Sequence, residues 1–158
     1  MTEQPDSQPA EPLIPPRLRA QRQAELLDRI GGREVIERVV DAFYDAVETD
    51  EELRPLFPEN MDDGREKQKL FLEQWLGGEP RYSEQYGHPR LRRRHFPFVI
   101  SERAAGRWMR HMIQAFRDCG VGEPEVGELV ASFGPMAKHM VNAGEELPRE
   151  PLGDVRLT

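Results

Sequence analysis

The apolar residues in the middle of this chain recur at helical spacing, and no other feature constrains the fold as strongly. The clearest stripe consists of Val35, Ile36, Val39, Val40, Phe43, Tyr44 and Val47. Comparable stripes run through residues 64–75, 104–116 and 126–141. No run alternates between apolar and polar residues as a half-buried strand does. The sequence therefore predicts an all-α domain, with a further helix near residues 17–30.

Glycine, serine and proline mark where these helices begin and end. Gly31-Gly32 precedes the first stripe, and Gly77-Gly78 follows the second. Ser101 stands where the third helix starts and is a suitable N-cap. Gly134-Pro135 interrupts the fourth stripe, so we expect a kink or a helix restart there.

The two ends of the chain differ in composition from the middle. Residues 1–16 are rich in proline, with Gln, Ser and Glu, and residues 144–158 have a similar character. Such segments have little apolar surface to bury, so we predict a disordered or extended N-terminal tail over 1–16 and a flexible C-terminal tail over 144–158. The remaining residues, 17–143, are enough for one domain with its own core.

Charge and cysteine content limit the partners and the compartment. The 158 residues include 22 Lys plus Arg against 29 Asp plus Glu. This acidic balance argues against a nucleic-acid or anionic membrane partner. Cys119 is the only cysteine, so an intramolecular disulfide cannot form and a reducing, cytoplasmic location is expected. The sequence shows neither an apolar signal core nor a run of about 18 apolar residues, so we expect no secretion and no membrane span.

The segment "HPRLRRRHFPF", residues 88–98, joins the most basic run of the chain to an aromatic one. A short helix over residues 89–96 would place His95 over Leu91, facing inward. An inward imidazole of this kind is a metal ligand, a general base or a core residue bonded to a carbonyl, and spacing alone leaves all three open. The four histidines do not show zinc spacing, and no H-E-x-x-H, G-x-S-x-G or phosphate-loop motif is present.

Three polar side chains interrupt the apolar stripes of three different helices. They are Tyr44, Gln68 and Trp108. A buried amide, phenol or indole N–H destabilises the fold unless it finds a partner. Their combination indicates a polar pocket that lies opposite the inward histidine.

Four stretches of the chain resemble the group II truncated haemoglobins. They are "GGREVIERVVDAFYDAV", "LRPLFPEN", "FLEQWLGGEPRYSEQYGHPRLRRRHFPFVIS" and "AAGRWMRHM", and the resemblance covers about residues 26–142. It implies a two-over-two helical sandwich that encloses haem b, with residues 17–143 as the truncated globin domain. It leaves both tails unexplained.

The resemblance also implies roles for individual residues. His95 would be the proximal ligand of the haem iron, and a backbone carbonyl would orient its other ring nitrogen. Tyr44, Gln68 and Trp108 would donate hydrogen bonds to a bound ligand on the distal side. Partners for the haem propionates would be Lys67, Tyr82 and Arg94, with Arg92 as a weaker candidate. The remaining expected haem contacts are Phe57, Gly64, Phe71, Leu91, Phe98, Met136 and Met140.

Three residues depart from patterns related to this family. Gln68 stands where other members are apolar. Phe57 stands where some members carry a tyrosine, which shifts distal hydrogen bonding toward Tyr44 and Gln68. Gly64 stands where classical globins carry the distal histidine, so small ligands are expected to enter more freely.

The implied function is reversible binding of O₂ and other diatomic ligands such as NO and CO, with tight O₂ binding and with NO, peroxide or sulfide chemistry as secondary reactions. One alternative is a haem peroxidase or NO dioxygenase that depends on an external reductase, because the sequence contains no flavin or nicotinamide motif. Another is a haem-free helical module that binds a partner helix. A monomer or a homodimer fits each of these functions.

Overall fold

The computed structural model describes residues 15–147, and this part of the chain is entirely helical, with no strand. Seven α-helices and one 3-10 turn, Arg54–Leu56, are present in it. The helices are α1 (Pro16–Ile30), α2 (Gly32–Glu48), α3 (Asp62–Trp75), α4 (Arg81–Tyr86), α5 (Leu91–Arg94), α6 (Glu102–Asp118) and α7 (Glu123–Met140). The predicted all-α class is thus confirmed.

Two layers of two helices form the core. Helix α2 packs against α3 in one layer, α6 packs against α7 in the other, and the α2–α6 contact joins the layers. The apolar stripe of α2 predicted from the sequence is buried along its whole length. Phe116 and Phe133 stack between α6 and α7, with ring centroids 6.0 Å apart. None of the helices described here is both long enough and apolar enough to cross a membrane.

Helix α1 and its terminus agree with the sequence prediction, with a small shift at the start. The helix begins at Pro16, one residue before the predicted domain boundary, where proline is favourable at a helix start. Gly31 ends it with φ at 113°, a left-handed conformation suited to glycine. The predicted tails fall outside the described residues, except for residues 15–16 and 144–147.

The short helix of the basic segment is smaller than predicted. It spans Leu91–Arg94 rather than residues 89–96, because Arg90 adopts a left-handed conformation with φ at 48°. That conformation separates Pro89 from the helix, so the proline is not its first residue. His95 follows the helix directly as its C-cap.

Helix α7 runs through the point where a kink or a restart was expected. It extends from Glu123 to Met140 with Pro135 inside it, so the helix does not restart at Gly134-Pro135, and the kink stays a prediction. Phe133 and Ala137 are buried on either side of the proline. We attribute the continuity to this packing, which stabilises the helix against the loss of one backbone hydrogen bond at Pro135.

A buried carboxylate connects the end of α2 to α6. Asp50 is 5% exposed, and its carboxylate accepts hydrogen bonds from the backbone N–H groups of Glu52 and Leu53. On α6, the Arg107 guanidinium lies 3.0 Å from it and His111 Nε2 lies 2.6 Å from it. Burial alone would raise the pKa of Asp50, but these hydrogen bonds outweigh burial and hold the pKa well below its ordinary value.

Candidate functional site

A largely apolar cavity lies between the two helical layers. The space within it, including its opening to solvent, is about 740 Å³. Eight of the residues predicted from the sequence line it: Phe57, Gln68, Phe71, Leu91, His95, Trp108, Met136 and Met140. The other lining residues were not predicted as part of the site: Leu53, Leu56, Ile100, Ala104, Ala105 and Ala137.

His95 is held in one orientation at the cavity wall. Its Nδ1 lies 2.6 Å from the carbonyl oxygen of Leu91, which confirms the expected backbone acceptor. A carbonyl oxygen only accepts, so in the neutral ring Nδ1 carries the proton and Nε2 keeps its lone pair. Burial lowers the pKa of His95, the charge of Arg94 lowers it further, and the Leu91 carbonyl acts in the opposite direction. The net effect favours the neutral imidazole, which is the form that binds a metal ion.

A buried asparagine fixes the backbone that follows His95. Asn142 Oδ1 accepts the N–H of Ile100 at 2.8 Å, and Asn142 Nδ2 donates to the carbonyl oxygen of His95 at 3.2 Å. The backbone N–H of Asn142 donates in turn to the carbonyl oxygen of Ile100 at 2.9 Å. Asn142 follows the end of α7, so this helix and the histidine loop are connected directly. The sequence gives no signal for this residue, since a lone asparagine after a helix is common.

The three predicted distal donors differ in their relation to the cavity. Gln68 and Trp108 line it, and neither side chain makes a hydrogen bond within residues 15–147. Tyr44 does not line it but packs against Phe57, a wall residue, with ring centroids 5.9 Å apart. The Tyr44 hydroxyl is fully buried and has no hydrogen-bond partner in residues 15–147. Burial raises the pKa of this phenol, which keeps it protonated and able to donate.

The three predicted propionate partners form a cationic cluster beside the cavity. The Arg94 guanidinium donates to the hydroxyl of Tyr82, and the Tyr82 ring lies 5.7 Å from that of Phe71, which lines the cavity. The Lys67 ammonium lies 4.8 Å from the centre of the Tyr86 ring, which in turn contacts Tyr82. Lys67 also pairs with Asp63 at 3.1 Å. Tyr86 was not predicted, and nothing in its sequence context distinguishes it.

The remaining predicted residues lie away from the cavity wall. Gly64 is buried on α3, four residues before Gln68, and Phe98 is half-buried in the loop after His95. Arg92 pairs with Glu145 and donates to the carbonyl oxygen of His139, so it is engaged elsewhere. Within residues 15–147 no group of three or more His, Cys, Asp or Glu side chains is arranged to hold a metal ion. Among the described residues that line the cavity, His95 is the only His, Cys, Asp or Glu.

Comparisons with known proteins agree with this geometry. A family model described as bacterial-like globin matches residues 25–142. The chain is 42% identical over 117 residues to the group 2 truncated hemoglobin YjbI of Bacillus subtilis, a match that covers 72% of this chain and 86% of that protein.

Two solved structures show the same architecture. The group II truncated hemoglobin of Bacillus anthracis superposes with a TM-score of 0.73 and 39% identity, over 79% of this chain and 96% of that one. A truncated oxygen-avid haemoglobin from Bacillus subtilis gives a TM-score of 0.70 and 38% identity, over 74% of this chain and 98% of that one.

Proposed function

Because the chain belongs to the bacterial-like globin family, as a group II truncated haemoglobin with the two-over-two fold, we propose that it binds haem b through His95 and binds O₂ reversibly with slow release. The single observation that carries this proposal is the state of His95. The ring lines an apolar cavity, its Nδ1 is occupied by a carbonyl, and its pKa is lowered. The lone pair of Nε2 would therefore hold the iron of a bound haem.

The residues around the cavity fit a haem in shape and charge. A haem is a flat apolar disc with two anionic propionates. Leu91, Phe71 and Met136 provide apolar walls. The cationic cluster of Lys67 and Arg94, with the hydroxyl of Tyr82, adjoins the wall through Phe71 and suits the propionates. When bound, the haem would supply a ferrous iron that binds diatomic ligands.

The distal residues support tight binding of a polarised ligand. The Gln68 amide and the Trp108 indole N–H line the cavity, and the Tyr44 ring packs against the wall residue Phe57. None of the three groups has a protein hydrogen-bond partner within the described residues. Donors that are unpaired in a dry pocket are available to a ligand without first breaking another bond. Each such bond contributes about 1 kcal/mol, so two of them would slow ligand release by roughly tenfold or more.

Slow release favours reaction of the bound O₂ over its transport, and we propose oxidation of nitric oxide as the secondary activity. Nitric oxide, O₂ and one electron together give nitrate. The chain has no flavin or nicotinamide motif, so an external reductase must deliver that electron. Stopped-flow mixing of the oxygenated protein with nitric oxide checks this activity through the yield of nitrate.

Replacement of the proposed iron ligand tests the principal proposal. We expect His95→Ala to abolish stable haem binding, because no neighbouring histidine lines the cavity to replace it. The measurement is a titration of the haem-free protein with haem, followed by the Soret band and by the far-UV circular dichroism of the same samples. His139→Ala removes an exposed histidine and is the matched control, which should bind haem as the parent protein does.

Folding must be separated from ligation in this experiment. A helical His95→Ala protein that no longer binds haem supports the assignment. The same variant with parental haem affinity and an unchanged ferrous spectrum contradicts it. Absence of a Soret band in the parent protein, after expression with ample haem, would overturn the proposed function as a whole.

A further inference from the structure

A second concave surface lies on the far side of Leu91 from the haem cavity. This basic groove is open to solvent, has a volume of about 1720 Å³, and is formed between the end of α3, residues 88–93 and the end of α7. Its apolar floor includes Phe71, Trp75, Leu91, Pro135 and Met136. Within the described part of the chain, no aspartate or glutamate lines it.

The rim of the groove carries two arginines whose charges are not neutralised. Arg90 and Arg93 are exposed, and neither has a carboxylate within salt-bridge distance anywhere in residues 15–147. The third rim arginine, Arg92, is instead paired with Glu145. The net charge of the chain is −7, but no carboxylate among the residues that line the groove offsets these two guanidinium groups. They favour an anionic ligand.

The backbone holds one of these arginines in an unfavourable conformation. Arg90 is the only residue other than glycine with positive φ in the described chain, at 48°. Its N–H donates to His88 Nδ1 at 3.0 Å, which stabilises the turn. A left-handed conformation is unfavourable for a residue with a side chain, because Cβ comes too close to the following carbonyl oxygen. Here it turns the chain so that Arg90 and Arg93 both lie at the rim.

We infer that the basic groove is a binding site for an amphipathic organic anion. Its carboxylate or phosphate head pairs with Arg90 and Arg93, and its hydrocarbon chain lies along the floor beside Trp75 and Pro135. An inorganic anion would leave that floor exposed to water, and a neutral lipid would leave the two arginines unpaired. Only a ligand with an anionic head and a hydrocarbon chain both pairs with the arginines and covers the apolar floor.

The groove is distinct from the haem cavity although they share a wall. Phe71, Leu91, Met136 and Met140 line both, whereas Arg90, Arg93 and Trp75 line only the groove. The inference therefore does not rest on the proposed haem function. A ligand seated in the groove depends on the two arginines, and one that enters the haem cavity does not.

Calorimetric titration of the full chain, loaded with haem and saturated with cyanide, tests the site. The probes are octanoate, decanoate and dodecanoate, each below its critical micelle concentration, followed by dodecyl phosphate. We expect the affinity to rise about threefold to fourfold with each CH₂ added. Comparison of dodecanoate with dodecyl phosphate shows which head group the arginines prefer. Dodecyltrimethylammonium has the same chain and the opposite charge, and it should not bind.

Charge-neutralising variants show where the anion binds. Arg90→Gln combined with Arg93→Gln should weaken dodecanoate binding by at least about tenfold, because two charge-assisted hydrogen bonds are lost. Arg110→Gln removes one exposed arginine of α6 that does not line the groove, and it is the matched control. A chain that ends at residue 147 should bind as the full chain does.

Three results would overturn the inference. The first is equal dodecanoate affinity in the parent protein and in the double variant. The second is binding of dodecyltrimethylammonium as tight as that of dodecanoate, which would indicate adsorption to the apolar floor alone. The third is binding that appears only in the chain that ends at residue 147, because the protein's own C-terminal residues would then be the occupant.

Discussion

The Tyr44 hydroxyl lowers the stability of the fold and is at the same time suited to ligand binding. A buried hydroxyl without a partner costs the fold about 1–3 kcal/mol. Its ring packs against Phe43 and Phe57, so the destabilisation comes from the unpaired hydroxyl group alone. A phenol that stays protonated through burial is suited to donate to a ligand that the protein itself does not supply.

Tyr44→Phe should therefore change stability and ligand release in different directions. We expect the haem-free variant to melt at the same temperature as the parent or higher, because it no longer buries an unpaired hydroxyl. We expect O₂ dissociation from the haem-loaded variant to become about fivefold faster through loss of one hydrogen bond. Differential scanning calorimetry and stopped-flow dissociation measure the two effects. A lower melting temperature with an unchanged dissociation rate would assign Tyr44 to the core alone.

At the scale of single residues, sequence reasoning located the side chains with unusual chemistry but not those that position them. His95, Gln68 and Trp108 are recognisable because each is polar within an apolar pattern, and all three line the cavity. Asn142 and Asp50 act through contacts 42 and 57 residues away along the chain, with Ile100 and Arg107. Hydrophobic periodicity contains no information about pairings at such a distance.

At the scale of elements, the long helices were predicted from the sequence, whereas of the short ones only α5 was, and with a different extent. The periodic stripes of α2, α3, α6 and α7 determine four helices, and the Ser101 cap of α6 is confirmed by its 3.0 Å bond from the Ala104 N–H. Helix α4 and the turn Arg54–Leu56 were not predicted, because segments of three to six residues are too short to show a period. The extent of α5 depends on the left-handed conformation of Arg90, which the sequence does not signal.

Asn142 links two of these elements, and its replacement should loosen the histidine loop. Asn142→Ala leaves the Ile100 N–H without its acceptor, so we expect the free energy of unfolding to fall by about 2 kcal/mol and haem release to become faster. Asn142→Asp keeps the acceptor and loses the donor to the His95 carbonyl oxygen. Its free energy of unfolding and its rate of haem release should therefore lie between those of the parent protein and those of Asn142→Ala. Urea denaturation and haem transfer to an acceptor globin are the measurements. Parental values for Asn142→Ala would show that the loop is held by other contacts.

Asp50 joins α2 to α6, and its effect should depend on pH in a defined direction. The folded-state pKa lies below the ordinary value of 3.8, so the stabilisation is fully present above that value and declines as the pH falls toward the lowered pKa. We expect Asp50→Asn to reduce the free energy of unfolding by about 3 kcal/mol at pH 7 and pH 5. At pH 3, the difference in free energy of unfolding between the parent protein and Asp50→Asn should be smaller by about 1 kcal/mol.

Denaturant titrations at these three pH values measure this dependence. Glu51→Gln removes an exposed carboxylate at the neighbouring position and should leave the parental stability unchanged at each pH. A difference between Asp50→Asn and the parent that grows between pH 5 and pH 3 would contradict the direction of the pKa shift.

At the scale of the whole molecule, the haem cavity separates two layers that otherwise form one core. Its walls come from α3, α5, α6 and α7, together with the loop and turn residues between them. A ligand that fills it therefore contacts both layers, and it binds the folded chain but not the unfolded one. Such a ligand must stabilise the fold as a whole rather than one helix.

Haem should therefore raise the melting temperature of the entire domain in a single transition. At a free haem concentration about a thousandfold above the dissociation constant, binding should raise the free energy of unfolding by about 4 kcal/mol. For a domain of this size, this corresponds to a rise of roughly 10 °C in melting temperature. Scanning calorimetry at several haem concentrations measures the increase, which should grow with concentration. Arg110→Gln should show the full increase, and His95→Ala should lose most of it. Coincident melting curves with and without haem, in protein that shows a Soret band, would mean that haem adsorbs to the surface and does not fill the space between the layers.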